Sequence, residues 1–315
     1  MKYSKKTISV LGKALMAASL VFIAMQIRRH DVDFSVLASP AVIAGLFLTA
    51  LVFGFGIAFA GLNFRWFISN IFGAAIDRRL VVKVYCVSNL YKYLPGSVMY
   101  LIGRNRIAFE TKRVSHAQIA LATMMEGVFI LLAAIIIIAI SVSDEAIHFL
   151  RQEVSIPFFV WIIAGGVALA CALLAVILRR RLRVWLKKYK KNMANFSMAS
   201  RAKRMGTCLF IVLVLAVTYL VTLKLLGQPV APDMIPTVIG LYLLAWIAGF
   251  MTPGAAGGMG VREAVLLMFL GGYLNPAIVL SSAVIHRVVT IVGDVLAYAI
   301  ALVYSHAKRD GAAQH

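Results

Sequence analysis

The feature that most constrains this chain is a series of apolar runs, several of which are about twenty residues long. An α-helix of roughly 20 apolar residues crosses the hydrocarbon core of a bilayer, which is about 30 Å thick. Hydrophobic residues make up 62% of the chain and charged residues only 14%, which excludes a soluble globular domain. We therefore predict an all-α polytopic membrane protein, with residues 1–315 forming a single integral membrane domain.

The distribution of positive charge predicts the topology. The chain has a net charge of +20, and residues 179–204 contain eleven Lys and Arg but no Asp or Glu. Basic connections remain on the cytoplasmic side of a membrane, where anionic headgroups also attract them. No base-reading pattern accompanies the charge, so no nucleic-acid partner is expected. We expect the basic loop 179–204 and both termini to be cytoplasmic.

The same rule separates full spans from segments that return to the side from which they start. The first apolar run is about twenty residues long and no cleavage site follows it, so we interpret it as an uncleaved span rather than a secretory signal. The expected full spans are 7–27, 40–62, 117–142, 157–178, 207–226 and 277–304. The returning segments are 84–103, which starts inside, and 235–273, which starts outside.

Helix-breaking residues lie in the middle of both returning segments. They are Pro95 and Gly96 in the first, and Pro253, Gly254, Gly257, Gly258 and Gly260 in the second. In each segment an arginine, Arg104 or Arg262, follows the Pro-Gly step. We predict two re-entrant hairpins in inverted-topology repeats, repeat one in 1–142 and repeat two in 157–304, with the substrate site between them near the midplane. The alternative is an eight-span bundle without symmetry.

Charged residues near the second break need partners inside the membrane. Broken backbone at this depth must face protein or a polar cavity, and a helix N-terminus there favours anions. Arg262 and Glu263 project about 100° apart, so they cannot simply neutralise each other. Arg287 and Asp294 share one face of the last span. One arrangement pairs Arg262 with Asp294 and Glu263 with Arg287; in the other, an arginine remains available for a phosphate.

Other ionisable residues within the spans are functional candidates by default. Glu126 is expected either to face the cavity or to pair with Lys92 or Arg104, and His286 is more typical of a hydrogen-bonded core histidine than of a proton relay. The cysteines and histidines have no metal-ligand spacing, so neither a metal site nor a cofactor is predicted. No catalytic residue is predicted. The predicted substrate-binding residues are Arg104, Glu126, Arg262, Glu263, Arg287 and Asp294.

Two sequence blocks carry a resemblance to a known family. They read Tyr91-Lys92-Tyr93-Leu94-Pro95-Gly96 with Gly103-Arg104, and Thr252-Pro253-Gly254 through Gly257-Gly258-Met259-Gly260-Val261-Arg262-Glu263. They resemble the paired signatures of the lysylphosphatidylglycerol synthase transmembrane-region family. The resemblance implies a bacterial inner-membrane protein that moves, or helps to move, a lipid between leaflets. Only eleven residues follow Tyr304, so the aminoacyl-transfer domain of fused members, and with it synthase activity, is not expected.

The resulting functional hypothesis is a lipid flippase or scramblase that moves an anionic or phosphate-bearing lipid between leaflets through a charged midplane cavity. The lipid would be of the phospholipid or polyprenyl-phosphate type. The arginines would contact a phosphate, and the carboxylates would orient them or exchange protons. No nucleotide-binding motif is present, so movement would be passive or driven by an ion gradient. The alternatives are an ion-coupled secondary transporter of a small soluble substrate and an accessory subunit of a lipid-synthesis complex. We do not expect an enzyme; the expected partners are anionic membrane lipids and, for the accessory role, enzymes of lipid metabolism.

Overall fold

The computed structural model describes residues 35–93, 99–141, 197–251, 258 and 260–306, together with Met25 and Arg28. Within these residues all regular structure is helical. Three short 3-10 turns cover Ser35–Ala38, Tyr91–Tyr93 and Pro232–Met234. The α-helices are α1 (Pro40–Phe72), α2 (Arg78–Leu90), α3 (Met99–Arg104), α4 (Arg106–Thr111), α5 (His116–Ser141), α6 (Met198–Leu225), α7 (Ile235–Met251), α8 (Val261–Leu270) and α9 (Pro276–His306).

Five described helices are long and apolar enough to cross a membrane, namely α1, α5, α6, α7 with the turn before it, and α9. The prediction of an all-α membrane protein is confirmed at this level. Helices α5 and α9 match the predicted spans 117–142 and 277–304 closely. The predicted spans 7–27 and 157–178 lie outside the described residues, except for Met25.

Two helices extend beyond their predicted ends. Helix α1 continues to Phe72 rather than ending at residue 62, and α6 begins at Met198, inside the predicted basic loop 179–204. For α6, Lys and Arg favour helices nearly as well as Leu does, so the helix can continue through the basic region. The extension of α1 contains a single charged residue, Arg65, and is otherwise mostly apolar, so one basic residue does not end a helix.

The chain divides into two compact units, one of Met1–Val142 with Lys203–His315 and one of Ser143–Ala202. Only 197–202 of the second unit are described. The residues discussed below all belong to the first unit. The division into repeats at 1–142 and 157–304 stays a prediction.

Helix α9 packs most extensively against α1, at a pair of glycines. A Cβ atom on Gly54 would lie 2.8 Å from the carbonyl oxygen of Gly293, and one on Gly293 would lie 2.6 Å from the Phe53 ring. Small residues of this kind let helix backbones approach closely inside a membrane. The close packing of α9 against α1 places the next residue, Asp294, in a fully buried position.

The first predicted returning segment, 84–103, overlaps two helices that pack against each other, of which α2 begins earlier than predicted, at Arg78. Helix α2 ends at Leu90, and α3 lies alongside its last turn. A Cβ atom on Gly103 would lie 2.8 Å from Cβ of Ser88 and 2.7 Å from the Tyr91 ring, so the contact leaves no room for a side chain. Pro95 and Gly96 lie outside the described residues.

The second predicted returning segment contains α7 and α8, which also pack against each other. Gly258 has a φ of +74°, and a Cβ atom there would lie 2.7 Å from the backbone of Gly249. A positive φ and this close contact both require glycine. Gly260 also has a positive φ, of 83°, immediately before α8. The other predicted breakers, Pro253, Gly254 and Gly257, lie outside the described residues.

Candidate functional site

Buried and partly buried charged side chains lie on α9, on α5, and on or next to two helix pairs, α2 with α3 and α7 with α8. We call the following residues the charged set: Lys92, Arg104, Glu126, Arg262, Glu263, Arg287 and Asp294. Each has described contacts with other elements, and these contacts determine which charges are compensated. The set includes all six predicted substrate-binding residues together with Lys92.

Arg104 and Glu126 form a buried ion pair. The Arg104 Nη1 atom lies 2.6 Å from Glu126 Oε2, and the Tyr85 hydroxyl donates to Glu126 Oε1 at 3.0 Å. The guanidinium lies 4.7 Å from the ring centre of Phe64 and 4.3 Å from that of Tyr85. Of the two partners considered for Glu126, the structure therefore selects Arg104 rather than Lys92. The charge of Arg104 is already compensated.

Asp294 accepts hydrogen bonds from three residues at the end of α2 and in the turn that follows. Lys92 Nζ lies 2.7 Å and the Tyr93 hydroxyl 2.6 Å from Oδ2, while Asn89 Nδ2 donates to Oδ1 at 3.2 Å. Asp294 is fully buried, whereas the Lys92 side chain is 31% exposed. These contacts attach the first helix pair to α9.

Glu263 connects the start of α8 to α9. Its Oε2 atom accepts the backbone N–H of Gly260 at 2.7 Å, which satisfies one of the free amides at the helix start. Its Oε1 atom lies 3.2 Å from Arg287 Nε. The predicted pairing of Glu263 with Arg287 is confirmed.

The predicted pairing of Arg262 with Asp294 is wrong. Arg262 Nη2 instead donates to the Tyr242 hydroxyl at 2.5 Å and to His286 Nδ1 at 2.8 Å. On α9, Asp294 lies roughly two turns, or about 10 Å, beyond Arg287, where the donors at the end of α2 surround it. Among the described carboxylates, none lies within salt-bridge distance of Arg262.

Arg262 is nevertheless buried, with 7% of its surface exposed. Its guanidinium lies 4.6 Å from the centre of the Tyr242 ring, and its Nε atom is buried without a hydrogen-bond partner. It follows Gly260 in the first turn of α8, where the helix dipole disfavours a cation. The residue thus combines a buried charge, an unfavourable dipole and an unsatisfied donor.

His286 holds Arg262 without neutralising it. A guanidinium has only donors, so His286 Nδ1 must be an unprotonated acceptor. The other ring nitrogen lies 3.1 Å from Thr218 Oγ1, which donates to the Leu215 carbonyl and can therefore accept the ring N–H. His286 is fully buried, and its hydrogen bonds match the interpretation as a core histidine.

Sequence reasoning missed five neutral partners of the charged set, namely Tyr85, Asn89, Tyr93, Tyr242 and His286. The available signal was a tyrosine in the first helix of each returning segment, at a similar distance before Arg104 and Arg262. Neutral aromatic residues within an apolar run otherwise show no contrast with their surroundings. Their contacts with the charged residues depend on how the helices pack, which the sequence pattern does not show.

Helix α9 connects both helix pairs through one of its faces. Arg287 contacts the α8 residue Glu263, and Asp294 contacts the end of α2. The set contains four cations and three carboxylates, and the three ion pairs given above occupy every member except Arg262. Among the described residues, the set therefore has one excess positive charge, which lies on Arg262. Such an arrangement is suited to binding one anion.

The next findings concern a possible metal site and the identity of the protein. Within the described residues, no group of three or more His, Cys, Asp or Glu side chains could hold a metal ion. No protein-family model matches the chain, and no curated protein does. The family resemblance carried by the two sequence blocks stays a prediction.

Proposed function

We propose that this protein is a lipid flippase or scramblase of a bacterial inner membrane, which moves an anionic or phosphate-bearing lipid between leaflets. The observation that carries the proposal is Arg262, a buried cation without a described carboxylate partner. An uncompensated charge in a low-dielectric interior is strongly destabilising. Binding an anion would offset that cost, and the planar arginine fork fits phosphate oxygens well.

The arrangement of the helices supports a path between two re-entrant hairpins. Helix α8 is ten residues long, so it extends about 15 Å, roughly half the thickness of the hydrocarbon core. Helix α7 with the turn before it is long enough to cross the membrane, so the support for a hairpin comes from the short α8. In the proposal, α2 with α3 and α7 with α8 are the hairpins of two inverted repeats, alongside six full spans. The headgroup passes the charged set between them while the acyl chains remain in the bilayer.

The charged set divides into two roles under this proposal. Arg262 contacts the phosphate, while the pair of Arg287 with Glu263 and that of Lys92 with Asp294 hold the hairpins on α9. Transport of this kind needs no bond-making step and hence no catalytic residue. Movement is passive or coupled to an ion gradient. The resemblance to the lysylphosphatidylglycerol synthase transmembrane-region family agrees with a lipid substrate.

Transbilayer movement in liposomes tests the proposed function. The purified full chain is reconstituted, and phosphatidylglycerol or phosphatidylcholine with the same fluorescent acyl chain is followed by chemical quenching of the outer leaflet. We expect protein-dependent movement that is faster for phosphatidylglycerol, because its headgroup carries a net negative charge. Equal rates for the two lipids would contradict the preference for an anionic lipid. Absence of movement, with and without a proton gradient, would contradict the flippase proposal and favour the soluble-substrate transporter or the accessory subunit.

A further inference from the structure

The two arginines that follow the Pro-Gly steps have matching surroundings. Arg104 lies 4.3 Å from the ring centre of Tyr85 in the preceding helix, and its ion-pair partner Glu126 follows 22 residues later on the next long helix. Arg262 lies 4.6 Å from the ring centre of Tyr242 in the preceding helix. Its partner His286 follows 24 residues later, again on the next long helix.

Glu126 and His286 therefore stand in equivalent positions around the two arginines. Glu126 is an acceptor with a full negative charge, so it both orients Arg104 and compensates its charge. His286 is a neutral acceptor, so it orients Arg262 and leaves the charge uncompensated. Among the described residues, the charge of Arg104 is therefore compensated by its partner on the next long helix, whereas that of Arg262 is not.

We propose that Arg262 binds one phosphate-type oxyanion. It can do so because its acceptor on the next long helix is the neutral His286, whereas the corresponding acceptor of Arg104 is the carboxylate of Glu126. The inference rests on the proposed function and names its binding site. The buried Nε–H of Arg262 is the donor that the oxyanion satisfies, while Tyr242 and His286 hold the Nη2 side of the guanidinium. Arg104 also has a buried Nε–H without a hydrogen-bond partner, so the two arginines are distinguished by charge compensation and not by this donor. Fixing the guanidinium from one side prepares the other side for a ligand.

The charge balance also restricts the class of ligand. Arg287 and Lys92 each have a carboxylate partner, so assigning an anion to either would require an existing ion pair to break. One excess positive charge, on Arg262, matches a singly charged group. A phosphodiester such as a phospholipid headgroup, or the monoanion of free phosphate, carries that charge. A pyrophosphate would leave its remaining charge without a counterpart among the described residues.

Ligand-dependent thermal stability tests the site independently of transport. The full chain in a neutral maltoside detergent is titrated with inorganic phosphate, against chloride of equal ionic strength. Parallel titrations use short-chain phosphatidylglycerol and phosphatidylcholine. A ligand that binds only the folded state raises the unfolding temperature. We expect a saturable rise with inorganic phosphate or short-chain phosphatidylglycerol, and a smaller one with phosphatidylcholine.

Two matched variants separate charge from packing. His286→Glu places a carboxylate beside Arg262, as Glu126 does beside Arg104. The ligand-dependent rise in unfolding temperature should therefore disappear, while the ligand-free protein is at least as stable as the wild type. His286→Gln introduces a neutral acceptor, so the rise should persist. If His286→Glu fails to fold, Arg262→Gln provides the same test by removing the charge. A rise of wild-type size in His286→Glu or in Arg262→Gln would overturn the inference.

The two ligand sources and the two proposals give distinguishable results. A rise with phosphate but not with phosphatidylglycerol supports the site and contradicts a lipid substrate. A rise with phosphatidylglycerol alone supports the site and identifies a lipid headgroup as its ligand. If the wild type shows no rise with either ligand while liposomes show phosphatidylglycerol movement, the inferred site is wrong and the flippase function remains.

Discussion

Replacing Arg262 by alanine is expected to slow protein-dependent movement of fluorescent phosphatidylglycerol by about 30-fold or more. Removing one partner of a buried charged contact costs about 2–5 kcal/mol, and each 1.4 kcal/mol corresponds to about a factor of ten. Arg262→Lys should give an intermediate rate, because it keeps the charge but loses the planar fork. The measurement is the initial rate of movement in liposomes that contain equal amounts of folded protein.

Arg106→Ala is the matched control for this experiment. Arg106 has 63% of its side chain exposed and forms an ion pair with Glu110 within the same helix rather than with a member of the charged set. Its replacement removes the same side chain from a solvated position, so the rate should stay at the wild-type value. Equal losses in both variants would indicate an effect of overall charge. A wild-type rate in Arg262→Ala would contradict the assigned role.

Replacing Glu126 by glutamine is expected to destabilise the fold by about 3–5 kcal/mol. The substitution leaves the guanidinium of Arg104 buried without its counter-charge, and breaking a buried ion pair from one side has a cost of this size. Unfolding of the purified protein in lipid discs by denaturant, followed by tyrosine and tryptophan fluorescence, measures the difference.

Two companion variants identify the cause. Arg104→Met with Glu126→Met removes both charges and keeps a similar volume, so its stability should be close to that of the wild type. Glu110→Gln breaks an exposed pair and should cost less than about 1 kcal/mol. If Glu126→Gln lowered the free energy of unfolding as little as Glu110→Gln, Arg104 would have to be solvated or neutralised by another anion. That result would contradict its buried ion pair with Glu126.

The sequence predicted the helical spans better than their ends. Hydropathy located α5 and α9 closely because apolar composition changes sharply where each begins and ends. It placed the end of α1 and the start of α6 too near the membrane, since a helix needs only favourable local geometry to continue past it. The amino-acid composition of a helix indicates whether lipid or water surrounds it, whereas hydrogen bonding and capping determine where the helix ends.

The candidate site was predicted in part, and the limit has a physical cause. Helical spacing on α9 correctly placed Arg287 and Asp294 on one face, and it led to the correct pairing of Glu263 with Arg287. It could not tell which helix would face Asp294, because that depends on how α2 and α8 pack against α9. The neutral environment of Arg262 was missed for the same reason.

A lipid path through the charged set is tested by locating the lipid headgroup in the protein. Phosphatidylglycerol with a photoreactive group on its headgroup glycerol is activated in liposomes that contain the wild-type chain, and the modified peptides are identified by mass spectrometry. We expect adducts near Tyr242, Arg262 and His286, which unlabelled phosphatidylglycerol competes away and Arg262→Ala lacks. Adducts confined to outward apolar positions such as Ile140 and Val303, which are 78% and 71% exposed, would contradict a lipid path through the charged set.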